Sequence, residues 1–156
     1  MTSTSNNWWD AYPAPKSSPE RWTHDKVAEL IRSEAVSGKD YLVVDVRRTD
    51  FGGGTVKGAI NVHAQTFFDQ LPDFVSKYKD VPLVFFFCNS SSQSQTKIGR
   101  GPRCAMWYQD ALDEKRITTS KALILAAGIK GWVQQYKDDA ALVDGFDEDF
   151  WKVEHP

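Results

Sequence analysis

The chain reads as an α/β protein, a mostly parallel sheet with helices on both faces. Three observations predict this. Residues 41–46, 81–87 and 122–125 are apolar almost without a break, as strands buried on both faces must be. Between them lie stretches whose apolar residues recur at helical spacing. Buried strands alternating with amphipathic helices bury the most apolar surface when the helices cover both sides of a parallel sheet.

Taken in order, residues 1–20 carry Pro13, Pro15 and Pro19 among polar residues and read as an extended arm, with 21–156 as a single domain. Trp8, Trp9 and Tyr12 are out of place in a purely solvated arm, and packing on the domain surface accounts for them better than a partner-binding motif. Thr23 is a suitable N-cap, Asp25 falls in the first turn, and Val27, Leu30 and Ile31 share one face, which predicts a short helix. The strand at 41–46 follows, then the loop Gly52-Gly53-Gly54 and a second short strand over 56–62. Phe67, Phe68, Leu71, Phe74 and Val75 predict a helix over 65–78 that Pro72 should kink or split. The third strand covers 81–87 and runs into Cys88. A helix opens at Arg100, with Pro102 tolerated in its first turn, and runs to about Leu112. The fourth strand, 122–125, ends at Gly128. A short helix surrounds Trp132, and Phe146, Phe150 and Trp151 should dock an acidic tail onto the domain.

Size and charge narrow the possibilities. A chain of 156 residues is one domain with room for a proper core. A formal net charge of −2 leaves no nucleic-acid footprint. No apolar run approaches the roughly 18 residues a membrane span requires. The first seven residues lack the basic start and apolar core of a secretory signal. Two cysteines, Cys88 and Cys104, make neither a disulfide framework nor a zinc site, so no metal and no bound cofactor is expected. A reducing, intracellular location follows as the default, cytoplasmic or nuclear. Nothing in the pattern sets an oligomeric state.

The chemistry concentrates after the third strand. In open parallel sheets the reacting group sits at a carboxyl end, which is where Cys88 falls. A polar loop follows, and Arg100-Gly101-Pro102-Arg103 opens a helix. A helix N-terminus offers unpaired N–H donors and partial positive charge, which suit a tetrahedral oxyanion and favour the thiolate. A planar guanidinium adds bidentate pairing. A cysteine at a buried strand end is more often a small core hydrophobe; the polar loop and the arginine-bearing helix start reverse that expectation here. For Cys104, on the helix near Trp107 and Tyr108, core packing is the leading reading, ahead of a disulfide with Cys88. Asp45 reads as a structural carboxylate, Arg47 and Arg48 as loop supports, and His63 as solvent-facing.

Asp45-Val46-Arg47-Arg48-Thr49-Asp50-Phe51 followed by Gly53-Gly54-Thr55-Val56-Lys57-Gly58-Ala59-Ile60-Asn61 resembles the DVR…GGHIxGAxN signature of rhodanese-fold proteins. Ala127-Gly128-Ile129-Lys130-Gly131-Trp132 is similar to the later GGxxxW element of that fold. Cys88-Asn89-Ser90-Ser91-Ser92 and Gly99-Arg100-Gly101-Pro102-Arg103 resemble the two halves of a C-x5-R phosphate loop. That loop belongs to the branch of the cell-division-cycle dual-specificity phosphatases and the fungal arsenate reductases. The resemblance implies a five-stranded doubly wound sheet, Cys88 as nucleophile and Arg100 as the arginine closing on the oxyanion. It further implies substrate contacts from Asn89, Ser90, Ser91, Ser92, Gly99 and Gly101, with Arg103 adding positive potential. The substrate would be a phosphorylated or arsenate-like anion, with glutathione and glutaredoxin as reductant in the arsenate case.

The match departs most in its loop. Positions 89 to 99 put eleven residues between Cys88 and Arg100, about six more than the motif, and 93–98 is the simplest surplus. Thr55 replaces the signature histidine, Phe87 precedes the cysteine where many such phosphatases have His, and the loop holds no carboxylate to act as general acid. Asp50 or a residue elsewhere is a candidate acid, or the substrate supplies its own proton. A sulfurtransferase would use a shorter loop. The alternative function is a catalytically inactive rhodanese module that binds a partner or anion through the expanded loop.

Overall fold

A computed structural model of the chain describes residues 7–89 and 98–152. In chain order its elements are β1 (Glu20–Trp22), α1 (His24–Arg32), β2 (Tyr41–Asp45), β3 (Thr55–Val56), β4 (Ile60–Asn61), α2 (Ala64–Tyr78), β5 (Leu83–Phe87), α3 (Arg100–Glu114), β6 (Lys121–Leu125), α4 (Gly128–Tyr136) and β7 (Val143–Asp144). Single 3-10 turns lie at Trp8–Ala11 and Glu148–Lys152. Five parallel strands pair in the order β1-β6-β5-β2-β4, and β3 pairs antiparallel with β7 in a small separate ribbon. The expected doubly wound sheet is present, with β5 at its centre.

Successive side chains of a strand point to opposite faces, and the strands divide the core accordingly. Leu42, Val44, Val84, Phe86, Ala122 and Ile124 face α2 and α3. Tyr41, Val43, Phe85, Phe87, Leu123 and Leu125 face α1 and α4. Every residue of β2 is buried, which is why it reads as one apolar run rather than an alternation.

Two expectations need correction, and two short strands carry no sequence signal. The strand expected over 56–62 is two strands in different sheets: Gly58, at φ +79°, turns the chain out of β3 before β4 joins β2. β1 and β7 were illegible because each is two or three residues long and pairs on one side only, so neither carries an apolar run. Pro72 does not split α2, which is continuous from Ala64 to Tyr78. Pro72 itself is exposed, while Phe67, Leu71, Phe74 and Val75 are buried on both sides of it and hold one helix on one core.

The N-terminal segment lies on α2 and α3. Trp107 Nε1 donates to the Pro13 carbonyl at 2.9 Å, and the Lys16 and Ser17 amides donate to the Asp110 carboxylate at 2.9 Å each. Trp8, Trp9 and Tyr12 pack against the α2/α3 side of the core.

Candidate active site

Cys88 is the residue after β5, so strand alternation puts its side chain on the α2/α3 face, in the cluster that holds Cys104, Ala105 and Tyr108. It is buried, with 4% of its surface exposed, and is in no disulfide.

The first turn of α3 abuts this strand end. A Cβ on Gly101 would lie 2.8 Å from the Phe87 Cα and 2.9 Å from the Cys88 amide nitrogen. Neither backbone can yield, so only glycine lets the helix start this close to Cys88. Gly99 is the N-cap and has no side chain with which to cap the helix. Pro102 has no N–H to satisfy, and the Arg103 amide bonds back to the Gly99 carbonyl at 3.0 Å. The positive end of α3 therefore lies beside Cys88.

The second clamp is α4. Ile129 N–H donates to the Cys88 carbonyl at 3.0 Å and Lys130 N–H to the Asn89 carbonyl at 2.9 Å. The approach rests on Ala127 and Gly128, both left-handed at φ +63° and φ +57°. A Cβ on Gly128 would lie 2.5 Å from the Cys88 carbonyl oxygen. Asn89 is half-buried, and its Oδ1 has no hydrogen-bond partner among the described residues.

Arg100 is the first residue of α3 and is held by Asp50, in the loop after β2. Arg100 Nη1 donates to Asp50 Oδ1 at 2.8 Å and Nη2 to Oδ2 at 2.6 Å. The aspartate side chain is 3% exposed and the arginine side chain 22%. Burial alone would push the Asp50 carboxyl up, but the Arg100 guanidinium and nearby amides outweigh it and hold it below the usual carboxylate range. Asp50 is thus ionised at neutral pH and has no proton to give a leaving group, against the expectation of an acid there. The hydrogen bond to Asp50, with smaller contributions from the charges of Cys88 and Asp45, holds Arg100 above its ordinary value despite burial.

The loop carrying Asp50 is braced from below. Arg47 and Asp45 are both fully buried. Arg47 Nη2 donates to Asp45 Oδ2 at 2.7 Å and to the Gly54 carbonyl at 2.9 Å, and Nη1 donates to the Gly52 carbonyl at 2.9 Å. Thr55 Oγ1 also donates to Asp45 Oδ2, at 2.8 Å, so the residue that departs from the signature supplies a donor to the same carboxylate. From above, Trp151 Nε1 donates to the Gly53 carbonyl at 2.8 Å, and the Phe150 ring lies where a Cβ on Gly52 would be. The structural reading of Asp45 and Arg47 fits this network.

Cys88, Asn89, Gly99, Arg100 and Gly101 thus gather where β5 meets α3. Ser90, Ser91 and Ser92, with most of the surplus stretch, lie outside the described residues. Arg103 is 8% exposed, and its guanidinium lies 4.5 Å from the Trp9 ring and 5.9 Å from that of Trp107, under the N-terminal segment. Burial lowers its pKa, and its Nε has no hydrogen-bond partner among the described residues. Cys104 is wholly buried, and desolvation pushes its thiol well up, as suits a core residue. His63 is exposed and precedes α2 without capping it. Two roles lie beyond sequence reasoning: Gly128, a strand end and part of the GGxxxW-like element in the sequence, is also the close contact on the end of β5, and nothing local marks Asp50 as the partner of a residue fifty positions away. Among the described residues no cluster of three or more His, Cys, Asp or Glu could hold a metal ion, and no helix is long and apolar enough to cross a membrane.

A parallel sheet of this order, with a cysteine at the carboxyl end of its central strand, defines a small doubly wound α/β domain whose chemistry would lie along that edge. The chain belongs to the rhodanese-like domain family, whose model matches residues 23–135. Its fold is similar to that of a yeast protein tyrosine phosphatase of the rhodanese family, at 22% identity and a TM-score of 0.69 over 87% of this chain and 99% of that one. A second structure of that Saccharomyces cerevisiae protein, a homologue of single-domain rhodanese and of the Cdc25 phosphatase catalytic domain, gives the same identity and score over 88% and 94%. An As-Sb reductase from Leishmania major is similar at 16% identity and a TM-score of 0.58, over 79% of this chain and 82% of that one. At these identities the likeness is one of fold. Comparison with curated protein sequences returns no match.

Proposed function

We propose that the chain is a cysteine-dependent enzyme acting on a tetrahedral oxyanion, a phosphate monoester ahead of arsenate. The observation that carries this reading is the close approach of the N-terminus of α3 to Cys88, which a glycine at 101 permits. In this reading the Cys88 thiolate attacks phosphorus, the leaving group departs with the electron pair of the broken P–O bond, and water hydrolyses the cysteinyl phosphate. Arg100 and the loop amides, with Asn89, Gly99, Gly101 and Ser90 to Ser92, stabilise the charge on the equatorial oxygens. With arsenate, Cys88 displaces water from arsenic, and glutathione with glutaredoxin supplies the thiols that are oxidised as arsenic is reduced. Both reactions need a reducing, intracellular setting.

One observation favours a second reading, a catalytically inactive rhodanese module: both terminal nitrogens of Arg100 are already committed to Asp50. Hydrolysis of an aryl phosphate and glutathione/glutaredoxin-coupled arsenate reduction, each for wild type, Cys88→Ser and a deletion of residues 93–98, separate the two. Turnover by wild type that is lost in Cys88→Ser is expected, and the faster assay identifies the branch. An inert wild type with an active deletion variant would establish the module instead.

A further inference from the structure

We propose that Asp50 is an internal competitor for the candidate site, its carboxylate occupying on Arg100 the fork that an oxyanion would use. Anion binding is then an exchange rather than an addition. The proposal rests on the reading of Arg100 as the oxyanion arginine and extends it to how that site is regulated.

The geometry is that of a ligand. Nη1 and Nη2 each reach a different carboxylate oxygen, at 2.8 and 2.6 Å. Two parallel N–H···O bonds of this kind are how a guanidinium holds phosphate as well as carboxylate. An anion seeking the same end-on fork finds it filled. The pair is also shielded, with the Asp50 side chain 3% exposed and that of Arg100 22% exposed, so water and salt screen it less than a surface ion pair. The buried cation of its own loop is already committed, and the Arg48 side chain is exposed. Arg47, three residues earlier, is spent on Asp45 and on the Gly52 and Gly54 carbonyls. On release, Asp50 keeps the Arg48 amide, which donates to its Oδ1 at 3.2 Å. The loop can therefore hold a released carboxylate, but with fewer bonds than the closed state.

An oxyanion pays for that exchange in affinity. When only a fraction of molecules is binding-competent, the apparent dissociation constant rises by the inverse of that fraction. Replacing Asp50 with a neutral isostere removes the competitor while leaving Arg100 charged. The opposite role, a carboxylate that only positions Arg100 for the anion, makes the opposite prediction, since losing it would weaken binding.

The test is calorimetric titration of inorganic phosphate into wild type, Asp50→Asn and Asp50→Glu, each also in a Cys88→Ser background. Asp50→Asn is expected to bind phosphate at least about tenfold more tightly than wild type, with Asp50→Glu close to wild type. Weaker or unchanged binding by Asp50→Asn overturns the proposal. A second measurement needs no variant: carboxyl ¹³C NMR of wild-type protein at saturating phosphate. The Asp50 signal must move as Arg100 leaves it, and a signal unmoved at saturation overturns the exchange even if Asp50→Asn does not fold. Tighter phosphate binding by Asp50→Asn without turnover at Cys88 would leave the exchange standing and remove the enzymatic reading, so the two fail separately.

Discussion

A methyl group on Gly128 would stand 2.5 Å from the Cys88 carbonyl oxygen and 2.7 Å from that of Asn89, at a position already held at φ +57°. Left-handed backbone costs a residue with a side chain about 1–3 kcal/mol, and the clash adds to it. Gly128→Ala is therefore expected to lower unfolding free energy by at least about 1 kcal/mol in urea titrations and to shift the backbone resonances of Cys88 and Asn89. At the same scale, the Asp50–Arg100 pair ties stability to pH. The Asp50 pKa is lowered by folding, so its contribution is fully present above the unfolded carboxylate value of about 4 and is lost as pH falls through the lower folded value. Urea titrations of wild type and Asp50→Asn should differ most above about pH 5 and converge in stronger acid. A gap that is constant with pH would mean that the carboxylate charge is not what matters. How much of this was legible varies residue by residue. Cys88 and Arg100 stand out because a polar loop and a helix start bracket them. Asp50 does not, because its partner is chosen by the fold and not by spacing.

Among elements, the loop from β2 to β3 is held by charges that never see water. Asp45 and Arg47 are each fully buried, and removing one partner of such a pair strands the other. Arg47→Met is expected to cost about 3–5 kcal/mol, read by urea unfolding, and Asp45→Asn in the same chain should recover part of that loss. If the single and double variants are equally destabilised, packing and not charge sets the cost. The same elements mark where sequence reading reaches its end. β2 and β5 are legible because they are buried on both faces and leave continuous apolar runs. β1 offers only Glu20-Arg21-Trp22 and pairs with β6 alone, so no periodicity could reveal it. The ribbon of β3 and β7 joins segments nearly ninety residues apart, through four paired residues.

Over the whole molecule, the C-terminal turn and the candidate site are one mechanical unit. Phe150 fills the space that Gly52 and Gly53 leave open, and Trp151 Nε1 holds the Gly53 carbonyl. The loop so pinned carries Asp50, which holds Arg100. Phe150→Ala is expected to speed amide hydrogen exchange across residues 50–54 while leaving the protection of β2, β5 and β6 unchanged. Uniform loss of protection would instead make Phe150 part of the global core. The sequence predicts that Phe146, Phe150 and Trp151 dock; three consecutive glycines read simply as a loop, although two of them are the floor of that contact.

The bonds from α4 to the end of β5 set a direction as well as a distance. A trans peptide holds its carbonyl and its N–H on opposite sides, and the described residues contain no cis peptide. Because the carbonyl of Cys88 is spent on Ile129, the amide that joins Cys88 to Asn89 must aim its N–H away from α4. A helix that contributes no side chain to the candidate chemistry thereby fixes the polarity of the backbone beside the sulfur. A disturbance in the packing of α4 would reach Cys88 as a rotated dipole, with every neighbouring side chain still in place.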